Sequence, residues 1–260
     1  MEHQVQAAEQ PPAPPPIPLE GFDAEAVRIG LERDALTQLW QDPGFRALTG
    51  QLTGELDPER VRRDLLANAL RLSPSMAPDL YRIARQTAGL LGVGAPLELY
   101  QAAGAENARM HLVQEPALLE VQGRLLALID DEALRALLGH ELGHYLAHGD
   151  GDGLGARRVA ARVALQADGV PDGVREAARI HSLACELTAD RVGLLACQDL
   201  GAALRLSMIC TTGLSGETLG WDTEAYRAQC VELCEQLLAA GERAEGLTHP
   251  EHSVRGYALW

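Results

Sequence analysis

The chain has 260 residues, enough for a buried core in one domain with an extension, and a formal net charge of −15. Its hydrophobic content of 47% is ordinary for a folded soluble protein, and its basic residues are all arginine without a basic cluster, which argues against nucleic acid and anionic lipid surfaces as partners. No apolar run reaches the length of a membrane span and the N-terminus lacks the features of a secretory signal, so a cytoplasmic location is expected.

Residues 1 to about 20 are polar and rich in proline (Pro11 to Pro18), which predicts a disordered arm. Residues 21–94 read as an N-terminal helical region packing on a core over 95–260. Ala24 to Trp40 has helical apolar spacing, and Asp42-Pro43-Gly44 breaks it. Asp57-Pro58 opens a second helix with Val61, Leu65, Leu66, Ala69 and Leu70 on one side, ended by Ser73-Pro74. Ala77-Pro78 opens a third that runs to Leu91, closed by Gly92 and Gly94.

The texture changes after Ala95. Pro96 to Tyr100 alternates and Arg109 to Val113 does so loosely, while Ala117 to Val121 and Arg124 to Ile129 are short apolar runs around Gln122-Gly123. This predicts a small sheet of three or four strands, mostly antiparallel, leading into the next helix. His111 falls within it and reads as a hydrogen-bonded strand histidine.

That next helix carries the most informative residues in the chain. Asp130 can cap it, Asp131 and Glu132 occupy its first turn, Leu134, Leu137, Leu138 and Leu142 form an apolar stripe, and Gly149 stops it. Within it stands His140-Glu141-Leu142-Gly143-His144. Histidines four apart project from one helix face, so both imidazoles reach a single Zn²⁺, and Glu141 stands close enough to take a proton from a zinc-bound water.

Beyond it, Gly149 to Gly155 is a flexible turn whose Asp150 and Asp152 hint at calcium without the remaining loop ligands. Helices follow near 156–167, 174–199, 202–210 and 224–240, and 241–260 reads as irregular. The five cysteines contain no C-x-x-C pair, so free thiols are expected, Cys230 and Cys234 as core packing on one helix face.

A catalytic zinc usually keeps three protein ligands. Three successive turns of one rigid helix cannot converge on one ion, which removes His148. Asp150 stands where the pattern H-E-x-x-H-x-x-G-x-x-H has its last ligand, but Ala147 replaces the glycine needed for the chain to turn back. Glu186 is the favoured candidate: it lies four residues before Asp190, so a second helix crossing the first would bring both acids in together, Glu186 to the metal and Asp190 to the free ring N–H of a ligating histidine.

His140-Glu-Leu-Gly-His144 followed by Glu186-Leu-Thr-Ala-Asp190 resembles the CAAX prenyl-protease/HtpX-like family of zinc metallopeptidases. Thr248-His249-Pro250 with Arg255, and Asn107-Ala108 ahead of the motif helix, match its further motifs, over roughly residues 60 to 260. The resemblance implies an α+β, mainly helical fold of the zincin (gluzincin) type, with His140, His144 and Glu186 on one Zn²⁺ and Glu141 as base. It also implies Asp190 as orienting partner, His249 as a transition-state or substrate contact, Arg255 as a supporting residue, and Asn107 and Ala108 on the strand that receives substrate. Many members of that family have membrane spans and an aromatic residue where Arg109 stands; this chain has neither.

The expected function is a soluble zinc endopeptidase acting on a peptide or protein substrate. Two rivals are a latent zinc-stabilised scaffold that binds protein partners, to which the proline-rich arm and acidic surface point, and zinc hydrolysis of a non-peptide amide.

Overall fold

Aspartate and proline set the boundaries of the first helices. The structure is a computed structural model and describes residues 16–54, 57–149, 153–216, 218, 220–241 and 251–260. Helix α1 (Ala24–Val27) is capped by Asp23, and α2 (Gly30–Gln41) follows. Asp42-Pro43-Gly44 ends α2 as a breaker should, but it also opens α3 (Pro43–Gly54), which the sequence reading lacks. Proline suits a first helical turn, and the Asp42 carboxylate accepts the Phe45 N–H at 3.0 Å. Helix α4 (Pro58–Asn68) is capped by Asp57. It stops short of Leu70 because Ala69 turns extended and Leu70–Arg71 pairs as strand β1. Helix α5 (Pro78–Leu90) then runs as its proline and glycine limits predict.

Strands β2 (Leu97–Ala102), β3 (Asn107–Met110) and β4 (Ala117–Gln122) complete a four-stranded sheet in the order β1-β2-β4-β3. The sheet is mixed, which corrects the expectation of mostly antiparallel pairing. β2 and β4 run parallel from Leu97–Ala117 to Ala102–Gln122, while β1 and β3 pair antiparallel on either side. β4 is buried nearly throughout, and its uninterrupted apolar run is the signature of a strand covered on both faces. The run 124–129, expected as a strand, is a single turn, α6 (Leu125–Leu128). Gly123 takes a left-handed conformation at φ +63° and the Asp130 cap follows within seven residues, which leaves no length for a returning strand.

The rest is helical: α7 (Asp131–His148), α8 (Gly155–Ala164), α9 (Asp172–Cys197), α10 (Leu200–Thr212), α11 (Thr223–Ala240) and α12 (His252–Tyr257). Helix α12 corrects the expectation that the chain is irregular there. It is held by tertiary contact, since Gly256 sits so near α11 that a Cβ on it would lie 2.9 Å from the Cys230 sulfur. Among the described residues no helix is long and apolar enough to cross a membrane. All five cysteines are free thiols. Where the proline-rich stretch ends, Ile17 exchanges two backbone hydrogen bonds with the Gln198 side chain at the end of α9.

Helix α7 is the centre of the molecule, packed on α5, α8, α9, α10 and β3. Residues Ala133 to Gly143 are buried without interruption, so this helix is apolar or close-packed on all sides rather than amphipathic. Its tightest neighbour is α9, and glycine makes that approach possible. A Cβ on Gly193 would stand 2.7 Å from the Ala136 carbonyl oxygen, and one on Gly139 would stand 2.9 Å from Gly193 Cα. Both are closer than real side chains come, so the two backbones meet directly.

Candidate metal centre

The crossing of α7 and α9 brings the two motifs of the sequence to one point. Asp130 caps α7 by accepting the Ala133 N–H at 2.8 Å, which fixes the register of the helix three turns before the histidines. His140 and His144 then present their Nε2 atoms 3.1 Å apart, the ring planes at 87° to each other. From α9, the fully buried Glu186 places Oε2 3.4 Å from the His140 nitrogen and Oε1 3.4 Å from the His144 nitrogen.

His140 and His144 hold their nitrogens near the edge of a tetrahedron around zinc, about 3.3 Å for ligands at 2.0–2.1 Å, and Glu186 faces the pair with a different oxygen toward each. They form one of two groups among the described residues with donor atoms close enough for a shared ion. The electrostatics agree. Burial opposes protonation of His140, yet its hydrogen bonds to Asp190 and Glu186 push its pKa up to about 10. Burial likewise resists charge on Glu186, yet the imidazoles of His144 and His140 hold it well below the usual carboxylate range. The site therefore demands positive charge, and a divalent cation on these donors would supply it.

A second layer orients the donors. Asp190, one helical turn after Glu186, takes the His140 Nδ1–H at 2.9 Å, which leaves Nε2 as the lone-pair donor. Arg255, delivered by α12, holds Asp190 in turn, and although burial resists its charge this arginine keeps Asp190 far below the usual carboxylate range. Arg162 of α8 approaches Glu186 from the other side, Nη1 at 3.8 Å, and donates to the Ser182 hydroxyl.

Glu141 is buried between the two histidines and lines both cavities that meet at the cluster. The larger, about 680 Å³, lies between β3 and α8. The smaller, about 270 Å³, lies between α7, α10 and α12. Asn107 and Ala108 line both from β3, an edge strand whose outer side pairs with no strand among the described residues. His111, just past β3, is hydrogen-bonded to Glu120 at 3.0 Å.

The residues singled out from the sequence thus converge: His140, His144, Glu186, Asp190 and Arg255 form one cluster, with Glu141, Asn107 and Ala108 around its opening. His249 and Asp150 lie outside the described residues. His148 stacks beside His144 at 6.3 Å and is not part of the donor group. Three features escape the sequence reading. Gly139, Gly143 and Gly193 mark the close crossing, and the four-residue spacing of the first two is its signal. His252 lines the smaller cavity, where burial pushes its pKa down to about 4; its place three before Arg255 on one helix face is its signal. Arg162 carries no local signal at all.

The second possible donor group is Glu32, His181 and Cys185. There Glu32 is already the partner of the buried Arg28, accepts the Thr188 hydroxyl at 2.5 Å, and lies 4.0 Å from the Arg158 guanidinium. Its charge belongs to those groups.

In comparisons with known proteins, no family model, no curated protein and no solved structure matches this chain.

Proposed function

We propose that the chain is a zinc-dependent endopeptidase of the kind its motifs resemble, with His140, His144 and Glu186 as the zinc ligands. One observation carries the reading: two ring nitrogens 3.1 Å apart face a buried carboxylate, each nitrogen 3.4 Å from one of its oxygens, beside Glu141 in a cleft bordered by a strand edge unpaired among the described residues. Zinc bound there would polarise a scissile carbonyl and acidify a water. Glu141 would serve as the base, taking a proton from the attacking water and passing it to the leaving amine. An extended peptide pairs with the outer edge of β3 at Asn107 and Ala108, main chain to main chain, which sets the scissile bond above α7. Asp190 and Arg255 hold His140 in the tautomer and orientation the site needs. His249 is the proposed further contact to the oxyanion, on the strength of the resemblance alone.

The test is zinc per chain and hydrolysis, measured together. Wild type should hold one zinc and cut casein or at least one unstructured peptide in a chelator-sensitive way. Glu186→Ala should lose the zinc, and Glu141→Gln should keep it while losing hydrolysis. Zinc without hydrolysis of any substrate in the wild type would favour the scaffold reading. Hydrolysis by Glu141→Gln at the wild-type rate would refute the mechanism.

A further inference from the structure

The chain as a whole is strongly acidic, with a formal charge of −15, but the larger cleft is not. Arg109, Arg158 and Arg162 line it together with five histidines, and Glu141 is the single acid in its wall among the described residues. Arg158 is accounted for by Glu25 and Glu32. The other two arginines differ. Arg109 is exposed on β3, the edge proposed to receive substrate, and no ion pair ties it to any acid among the described residues. Arg162 is about a third exposed across the cleft on α8, and its nearest acid is Glu186, 3.8 Å away. With a cation on Glu186 that carboxylate is shared with the ion, and the guanidinium keeps its own charge. Between them, His148 turns toward the cleft a ring whose Nδ1 has no hydrogen-bond partner among the described residues. Two cations and an imidazole nitrogen without a partner among the described residues thus line one open cavity beside the proposed scissile position.

We propose that this cleft is a subsite for an anionic substrate side chain, that of aspartate or glutamate, held between Arg109 and Arg162. The inference rests on the endopeptidase reading for the position of the substrate, and it names the substrate class: peptides with an acidic residue on the β3–α8 side of the cleaved bond. A carboxylate there meets a bidentate guanidinium donor from each wall. A neutral amide forfeits the charge, and a lysine is repelled. The same field steers acidic segments of a substrate into the cleft against the repulsion of the surface around it.

Binding and cleavage are to be measured separately. The probe is a set of short acetylated and amidated peptides in which one Glu, Gln or Lys is moved along an otherwise neutral sequence, titrated calorimetrically into the full-length, zinc-loaded Glu141→Gln protein. At one position Glu should bind about tenfold more tightly than Gln, with Lys weakest, and the preference should shrink at high salt. Arg109→Gln and Arg162→Gln should each bring Glu to within about twofold of Gln. Arg109 touches no metal ligand, so its variant decides the matter even if Arg162→Gln disturbs Glu186. No position favouring Glu, or a full preference surviving in Arg109→Gln, would overturn the inference. Cleavage of the same peptides by wild type reports on the endopeptidase reading by itself. A Glu-selective peptide that binds and is never cut sinks only that reading, and peptides cut without regard to charge sink only the subsite.

Discussion

Arg255 holds Asp190 with two parallel bonds, Nε to Oδ2 at 2.8 Å and Nη2 to Oδ1 at 2.6 Å, and the same Oδ1 receives the ring N–H of His140. A residue of α12, 115 positions after it in sequence, thereby fixes the orientation of the first histidine of the cluster. Arg255→Ala leaves the mostly buried Asp190 with His140 as its one remaining hydrogen-bond partner among the described residues. We expect a loss of about 3 kcal/mol in unfolding free energy and a tenfold or greater fall in zinc affinity, about the usual cost of an orienting partner. Arg255→Lys should fall between, since an ammonium restores the charge without the two-pronged geometry. Denaturant titration and competition with a chromogenic chelator measure both; unchanged zinc affinity in Arg255→Ala would remove the arginine from the site.

Gly193→Ala tests the helix crossing. The added methyl meets the Ala136 carbonyl oxygen at 2.7 Å, a backbone atom that cannot move aside. Helices α7 and α9 must separate, at about 1–3 kcal/mol, and Glu186 withdraws from the histidines. The variant should unfold earlier and bind zinc more weakly. Gly173→Ala, on the same helix with open space at its Cβ, should be neutral or slightly stabilising. Equal behaviour of the two variants would show that the crossing is not tight.

Chelation should lower the unfolding temperature, and zinc should restore it. At a hundredfold excess over its dissociation constant a ligand specific for the folded state adds about 2.7 kcal/mol. Glu186→Ala should show little of this response. A response of wild-type size in that variant would place the metal on other residues.

Acid should destabilise the protein through His181. Its ring is 2% exposed, and burial, opposed by the charge of Glu32 and aided by those of Arg158, Arg28 and Arg162, pushes its pKa down to about 4. The unfolded chain binds a proton near pH 6.5 and the folded one does not. Its contribution is therefore complete above about pH 6.5 and is lost as the pH falls from there toward 4, at most on the order of 3 kcal/mol. His148 and His252, also shifted down by burial, act in the same direction. His181→Gln should flatten the decline of stability across that window in denaturant titrations. An unchanged slope would mean that His181 is protonated in the folded state.

What the sequence makes legible is what local spacing controls. His140 and His144 share a face because they are four apart on a capped helix, and Glu186 and Asp190 do so for the same reason. Asp57-Pro58 and Ala77-Pro78 mark helix starts by their backbone preferences, whereas Gly149 ends α7 in an extended conformation open to any residue. The parallel pairing of β2 with β4 is not legible, because strand order is settled by long-range contact. Leu70 leaves helix α4 for β1 for the same cause, with no local residue to announce it. Arg124 to Ile129 has a strand's composition and a helix's geometry, since Gly123 and Asp130 leave it too little chain. Helix α12 depends on the seat that α10 and α11 provide for Gly256, and Arg162 enters the site only because α8 folds back over α9.

The glycine-lined meeting of α7 and α9 has a mechanical consequence. Where backbone rests on backbone there are few rotamers to change, so the pair behaves as one stiff beam with the donors set into it. On the proposed reading, motion that admits a peptide would be confined to the flanks of that beam, to the β3 edge on one side and to α12 on the other. The candidate donors sit on the rigid part, and adaptation is left to its rim.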